Sequence, residues 1–567
     1  MHGTITAPRI EGGLLARLTE PRRAYAGLVL LCVLLWSPGF FTLPPGDRDE
    51  SRFAQATKQM LESGDYVRIM NGTEPRNRKP IGIYWLQLPF AAAAQAANLA
   101  RANPVWPYRI PSFLGGLLTV CTTYGLGRRL LGERAALLGA AMLAASVLLV
   151  VETHIAKTDA VLLGATTVAL LLLGCAYGGP GPFTSRQAGF FWLAIGAGVL
   201  IKGPVTPMVA GLATVALVLV DRDRRWLRVL RPGWGLPLAL VLILPWFVAI
   251  GLATEGRFFA DSIGGDLAAK LAGGDNAHGA PPGFYLLLLP LLAFPSSLVL
   301  LRSLPWVWEQ RSDRTIRFFL AWIVPAWLVF ELIPTKLPNY IMPLLPALFL
   351  LAGSWVVNGA WPGPRWWAWL SAAGYGFAAS ALGIAAAALP VAVGGKQWLG
   401  LPVLGSAVLL AVLVLRRARR EAWLRASLAG VAAMPLVSGT LLGLELPHLS
   451  PLWIAPKITA IVAPLHPAAL GVAGFNEPSL MFLAGTNTEW LLTGGDAARF
   501  LASAPGRVVG VSNQQLAAFR DASASLRLAV RPVGQVYGYN YSRGRRVELT
   551  LFRQKTEPEG GKTNPSG

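Results

Sequence analysis

Residues 81–100 read IGIYWLQLPFAAAAQAANLA, long enough to cross a bilayer but marked by features that argue against it. A spanning helix needs ~20 mostly apolar residues. This stretch carries Gln87, Gln95 and Asn98, follows Pro80 and holds Pro89. It reads as a helix lying in or dipping into the membrane interface. The decision governs everything downstream, because one more crossing would reverse every later loop.

Outward from it, thirteen apolar runs approach the spanning length. They lie at 24–43, 108–127, 134–151, 158–177, 187–201, 203–220, 234–252, 284–302, 316–333, 339–357, 366–390, 401–415 and 425–444. The 567 residues are 54% hydrophobic and 14% charged, against about 25% charged in soluble domains. The net charge of +21 would suit nucleic acid, but the arginines stand in short runs between apolar segments, where topology signals belong. Cys32, Cys121 and Cys175 all fall inside apolar runs; an odd count cannot complete a disulfide framework, and they read as small core residues.

Arginine-rich short loops mark the cytoplasmic side. Four clusters qualify: Arg128, Arg129 and Arg134; Arg222, Arg224, Arg225, Arg228 and Arg231; Arg302, Arg311, Arg314 and Arg317; Arg416, Arg417, Arg419, Arg420 and Arg425. With thirteen spans, all share a side with Arg17, Arg22 and Arg23 before the first span. That first run ends in Trp36, Phe40 and Phe41 rather than a small-residue cleavage site, so it reads as retained. The outer segments are then 44–107, 152–158, the turn at Lys202, 253–283, 334–338, 394–400 and the chain from about Glu445. The expected fold is an α-helical polytopic membrane domain over 1–444, a small outer soluble α/β domain over 445–555, and a disordered tail over 556–567. Within the outer domain, 507–512, 526–530 and 547–552 read as strands, 489–504 and 513–520 as helices.

The polar residues with chemical character gather on the outer side. Asp47-Arg48-Asp49-Glu50-Ser51-Arg52 opens an amphipathic helix that closes at Gly64. Asp49 reads either as its N-cap or as an acid at the mouth of a cavity. Arg76-Asn77-Arg78-Lys79-Pro80 either binds lipid headgroups or grips a substrate phosphate, with Lys79 best placed. Glu152-Thr153-His154-Ile155-Ala156-Lys157-Thr158-Asp159 joins two spans with almost no loop; Asp159 is a cap or, being an acid at membrane depth, functional. Lys202 stands between two spans without an evident partner. Thr335-Lys336-Leu337-Pro338-Asn339-Tyr340 brings a cation and a phenol to one tight turn. The loop 253–283 holds Asp266, Lys270, Asp275 and a lone histidine, His278. No cofactor is required by anything in the sequence, and a divalent metal at His278 is the one this loop admits.

No P-loop, no GxGxxG on a soluble sheet, no HExxH and no GxSxG occurs. Chemistry outside the cytoplasm without a nucleotide calls for a donor that is itself an activated membrane lipid. A polyprenyl-phosphate sugar meets that need, and cations beside acids suit its phosphate and its glycosidic carbon.

Asp49-Glu50-Ser51-Arg52-Phe53-Ala54, Ser63-Gly64-Asp65-Tyr66, Lys79-Pro80-Ile81-Gly82-Ile83-Tyr84-Trp85 and Lys336-Leu337-Pro338-Asn339-Tyr340 resemble the bacterial lipid A aminoarabinose transferases. That family belongs to the GT-C superfamily, with the protein mannosyltransferases. The resemblance implies transfer of 4-amino-4-deoxy-L-arabinose from undecaprenyl phosphate to a lipid A phosphate, at the periplasmic face of the inner membrane, with resistance to polymyxin and cationic antimicrobial peptides. It implies Asp49 at the catalytic centre, Lys79 and Tyr340 on the carrier phosphate with Arg52, Arg78 and Lys336 in support, and Asp159 and Lys202 lining the cavity. Glu50 and Asp159 are the acids for the donor's amine, and His278 falls in the family's flexible outer loop. Arg78 departs from the glutamate of close relatives, and Phe53 from a tyrosine. The partners implied are the lipid donor, lipid A and membrane lipids, with no nucleic acid and no obligatory protein. The alternatives are another polyprenyl-phosphate-sugar transferase with a protein or glycan acceptor, which would need a base, and a lipid flippase, which would need polar residues through the midplane.

Overall fold

The computed structural model describes residues 20–98, 103–267, 279–358 and 363–555. Among these, eight helices are long and apolar enough to cross a membrane, and Glu133–Ala144 with Val147–Thr153, bent by 60°, makes a ninth if taken together. Four other expected runs form shorter or broken helices: Pro21–Trp36, Ser185–Lys202, Val205–Asp221, and 284–302, which divides into Phe284–Leu292 and Ser297–Glu309. Pro295 lies at that break, where a residue without an N–H cannot continue the helical ladder. Multi-pass membrane architecture follows from this set.

Asp159–Gly178 and Leu345–Val357 run through the middle of the bundle, nearly enclosed, whereas Pro232–Ala253 is mostly exposed. Its exposed side chains, Leu236, Leu240, Val241, Leu244, Val248 and Leu252, are all apolar, as lipid contact requires. Small residues let helices close up in lipid. A Cβ at Gly115 would come within 2.6 Å of the Val161 backbone, so Trp106–Leu131 and Asp159–Gly178 pack backbone to backbone.

The stretch 81–100 forms a helix of 15 residues, Gly82–Ala96. At 1.5 Å per residue it reaches roughly 22 Å, short of the ~30 Å hydrocarbon core. It packs on Asp49–Ser63, Trp106–Leu131 and Ser185–Lys202. A Cβ at Gly82 would meet the Leu200 carbonyl at 2.7 Å. This contact fixes the first outer loop against the helix end that carries Lys202.

The carboxyl-terminal part builds a five-stranded sheet. After a small hairpin in the first loop, β1 (Met70–Asn71) with β2 (Glu74–Pro75), come β3 (Leu470–Ala473), β4 (Glu489–Leu491), β5 (Val508–Ser512), β6 (Val530–Asn540) and β7 (Arg545–Gln554). Their order is β4-β3-β5-β7-β6, with β3 parallel to β4 and β5 and the β6–β7 hairpin antiparallel. Gly494–Ala502 and Leu516–Ser525 cover one face, Ile454–Val462 and Pro478–Ala484 the other. Two local expectations are corrected. Residues 489–491 are strand rather than helix, because Thr493 and Asp496 form a capping box that starts the helix only at Gly494. Residues 526–529 complete a helix end through hydrogen bonds back to Ala522 and Ser523, so the strand begins at Val530.

Candidate active site

Asp49–Ser63 starts at the acid pair and ends at Gly64, which adopts φ 71°, the left-handed cap that glycine permits. Asp49 does not cap it: the cap position is Arg48, and no side-chain cap bond forms. The Asp49 carboxylate is 62% exposed and lies 3.9 Å from Arg52. Glu50 points the other way and is buried. It receives Arg109 through Nε at 2.7 Å and Nη2 at 2.9 Å, Ala156 N–H at 3.0 Å and Gly46 N–H at 2.7 Å. Such bidentate, charge-assisted bonding uses up the carboxylate. Glu50 therefore anchors the loop to the bundle, and its expected meeting with the donor's amine is corrected on that ground.

Beside Asp49 stands a group of cations. The Arg76 guanidinium lies 4.8 Å over the Phe53 ring, and its Nε donates to the Tyr84 hydroxyl at 3.3 Å. Asn77 donates to Asp261 at 2.9 Å, which ties this turn to the segment after Pro232–Ala253. Arg78 is exposed and Lys79 half-buried in the same turn. Burial, and then the charge of Arg76, lower the proton affinity of Arg52, with Arg78 and Arg48 adding to the effect against the pull of Asp49. Crowded, partly desolvated cations are relieved by an anion.

A second polar group forms where the spans at 152–159 and 202 end. Lys202 bonds the Asp159 carboxylate, and Asn339 donates to the same oxygen at 2.8 Å. Lys157 is 2.9 Å from Glu152 and 3.7 Å from Asp159. The Lys202 ammonium also lies 5.4 Å over the Tyr340 ring. So the lysine that the sequence leaves without a partner has two. Burial would depress Lys157, but Glu152 and Asp159 reverse this and raise its pKa, with Asp49 contributing to the same field.

Lys336 departs from its expected role. Its ammonium is buried and donates to the Ala280 and Ile333 carbonyls, each at 2.9 Å, which leaves one of its three N–H groups. With the Gly279–Thr335 bridge it holds two outer turns together. His278, Lys270 and Asp275 lie outside the described residues. Among the described residues no group of three or more His, Cys, Asp or Glu is placed to hold a metal. Glu152, Lys157, Asn339, Arg76 and Arg109 are missed as individual residues by the sequence reading. For Arg109 a signal existed: an arginine at the head of an apolar run, where a charge needs a partner.

The carboxyl-terminal sheet closes over the turn just before Asp49. Ser479 donates to the Asp47 carboxylate, Asp47 N–H reaches the Tyr541 hydroxyl at 2.5 Å, and Arg48 Nη2 reaches the Ser542 carbonyl at 2.6 Å. Arg48 has φ 65°, a conformation that persists only when its surroundings impose it. Gln55–Thr486 at 2.9 Å, Lys58–Phe482 at 3.2 Å and Asn103–Leu483 at 3.1 Å extend the seam. Burial, reinforced by Glu477, raises Asp47 to about 6 against the Ser479 bond. A raised carboxyl pKa favours the folded state while the group is protonated; that stability is complete below the unfolded value, 3.8, and is lost as pH rises through about 6. The thermal midpoint in detergent should therefore fall between pH 5 and 7 more steeply in the wild type than in Asp47→Asn. Parallel curves would remove Asp47 from the seam's energetics.

Next to Lys202 an open apolar groove of about 540 Å³ is lined by Val199, Ile243, Leu244, Phe247, Val248, Gly251, Leu252 and Phe259. The site thus offers an open apolar groove, a cationic turn and acid–lysine pairs on neighbouring elements.

Residues 79–248 match the dolichyl-phosphate-mannose-protein mannosyltransferase family. The undecaprenyl phosphate-alpha-4-amino-4-deoxy-L-arabinose arabinosyl transferase of Pseudomonas paraeruginosa is 31% identical over 338 residues, 58% of this chain and 59% of that protein. A protein named as the first such transferase of Pseudomonas fluorescens is 28% identical over 315 residues, 55% of each chain. The chain thus aligns with somewhat more than half the length of these relatives. The crystal structure of ArnT from Cupriavidus metallidurans bound to undecaprenyl phosphate superposes with a TM-score of 0.71 at 20% identity, over 93% of this chain and 97% of that one. The apo oligosaccharyltransferase of Archaeoglobus fulgidus gives 0.50 at 13% identity, over 84% and 65%. The first of these superpositions shows a shared helical fold, and the named Pseudomonas relatives are transferases of the kind that the motifs resemble.

Proposed function

We propose that this chain transfers 4-amino-4-deoxy-L-arabinose from undecaprenyl phosphate to a phosphate of lipid A, as a pentosyltransferase of the bacterial inner membrane. The observation that carries the reading is the meeting, at one end of the bundle, of the Arg76–Lys79 cations, the Asp159–Lys202–Tyr340 group and the apolar groove. A lipid-linked sugar phosphate needs all three. The names of the Pseudomonas relatives point to the same donor.

In this scheme the polyprenyl tail lies in the groove and Lys79, Arg76, Arg78 and Arg52 surround the carrier phosphate. A lipid A phosphate oxygen attacks the anomeric carbon and forms the new C–O bond. The old bond to the carrier breaks, and its electron pair leaves with undecaprenyl phosphate. The nucleophile is already anionic, so no strong base is required. Asp49 stabilises the oxocarbenium-like centre rather than removing a proton, and the cations stabilise the departing phosphate. The outer face is periplasmic, thirteen crossings put the arginine clusters inside, and the carboxyl-terminal sheet caps the site from outside.

The test is mass spectrometry of lipid A from a polymyxin-sensitive, transferase-null host expressing this chain. An added mass of one aminoarabinose is expected, together with restored resistance. An unmodified lipid A from well-expressed protein would overturn the assignment in favour of another sugar or acceptor.

A further inference from the structure

The proposed donor bears an amine, cationic at neutral pH, and the structure narrows which side chain meets it. Glu50 is committed to Arg109 and two backbone N–H groups. Asp159 is committed to Lys202 and Asn339, with Lys157 nearby. Glu152 differs. It is 4% exposed, its Oε1 accepts Lys157 at 2.9 Å, and its Oε2 is enclosed with no hydrogen-bond partner among the described residues. Buried carboxylate oxygens are normally satisfied, and leaving one unmatched is costly.

Its place in the fold is suited to a ligand. Val147–Thr153 packs against the turn Pro338–Leu344, which carries Asn339 and Tyr340. Glu152 and Asp159 share this wall with Lys157 and Lys202. An ammonium offers that open carboxylate oxygen a charge-assisted N–H donor. A sugar hydroxyl would supply only the donor.

We infer that Glu152 recognises the amino group of the sugar donor and sets the enzyme's preference for an aminosugar over an uncharged one. The inference rests on the reading of the donor given above. It calls for kcat/KM with two donors that differ only at this nitrogen, the free amine and its N-acetyl derivative, in proteoliposomes of wild type, Glu152→Gln and Glu152→Asp. Wild type should favour the amine by tenfold or more. Glu152→Gln should reduce that ratio at least tenfold, chiefly through KM for the amine donor, and Glu152→Asp should keep most of it. A wild-type ratio in Glu152→Gln overturns the inference. Equal loss of both donors in protein that accumulates normally also overturns it, because Glu152 then only supports Lys157. If the wild type uses neither donor, the functional assignment itself fails.

Discussion

Asp49→Asn should lower kcat for sugar transfer by about 10²–10³, the loss typical of removing one preorganised electrostatic contact to the transition state. Accumulation and thermal midpoint should stay at wild-type levels. The exchange keeps size and shape and deletes only charge. It disturbs no cap, since Asp49 makes none, and its one ion-pair contact among the described residues is a loose 3.9 Å approach to Arg52. Were Asp49 only a structural N-terminal residue, the effect would appear instead as about 1 kcal/mol of stability with turnover intact. Steady-state transfer in reconstituted membranes separates the two, and normal kcat would end the assignment.

The second large effect belongs to a residue with no contact to the chemistry. Arg109→Met leaves Glu50 buried without its counter-charge, and breaking one side of such a pair costs about 3–5 kcal/mol. Arg109 also ties down the carbonyls of Phe40 at 3.2 Å, Leu43 at 2.9 Å and Pro44 at 3.1 Å. A sharp fall in membrane accumulation and in detergent midpoint is expected. Glu50→Leu with Arg109→Met should recover part of it, because no lone charge then remains buried. A single variant as stable as the wild type would show that the pair carries no net energy.

Much of this architecture was legible in the chain because lipid imposes simple rules. Apolar length accounts for the bundle, and the polar residues of 81–100 mark a short helix that packs beside the site. The residue types at the site were legible too, since charged groups at membrane depth stand out against leucine and alanine. Their partners were not. Sequence spacing cannot say that Glu50 would turn toward Arg109, 59 positions away, while its neighbour Asp49 faces outward. Nor can it say that Lys202 would find Asp159 and that Lys336 would spend its protons on carbonyls. Those outcomes depend on helix rotation and on which turn docks where. In the outer domain, short-range capping at Thr493 decided what apolar runs alone left ambiguous.

The bond between Asp47 and Tyr541 joins positions 494 residues apart. The ribosome therefore finishes every membrane helix long before the partner that holds the Asp47–Arg48 turn has been made. A nascent chain with its whole bundle inserted still presents an unbraced acid loop, which stays loose until the last hairpin of the sheet is made.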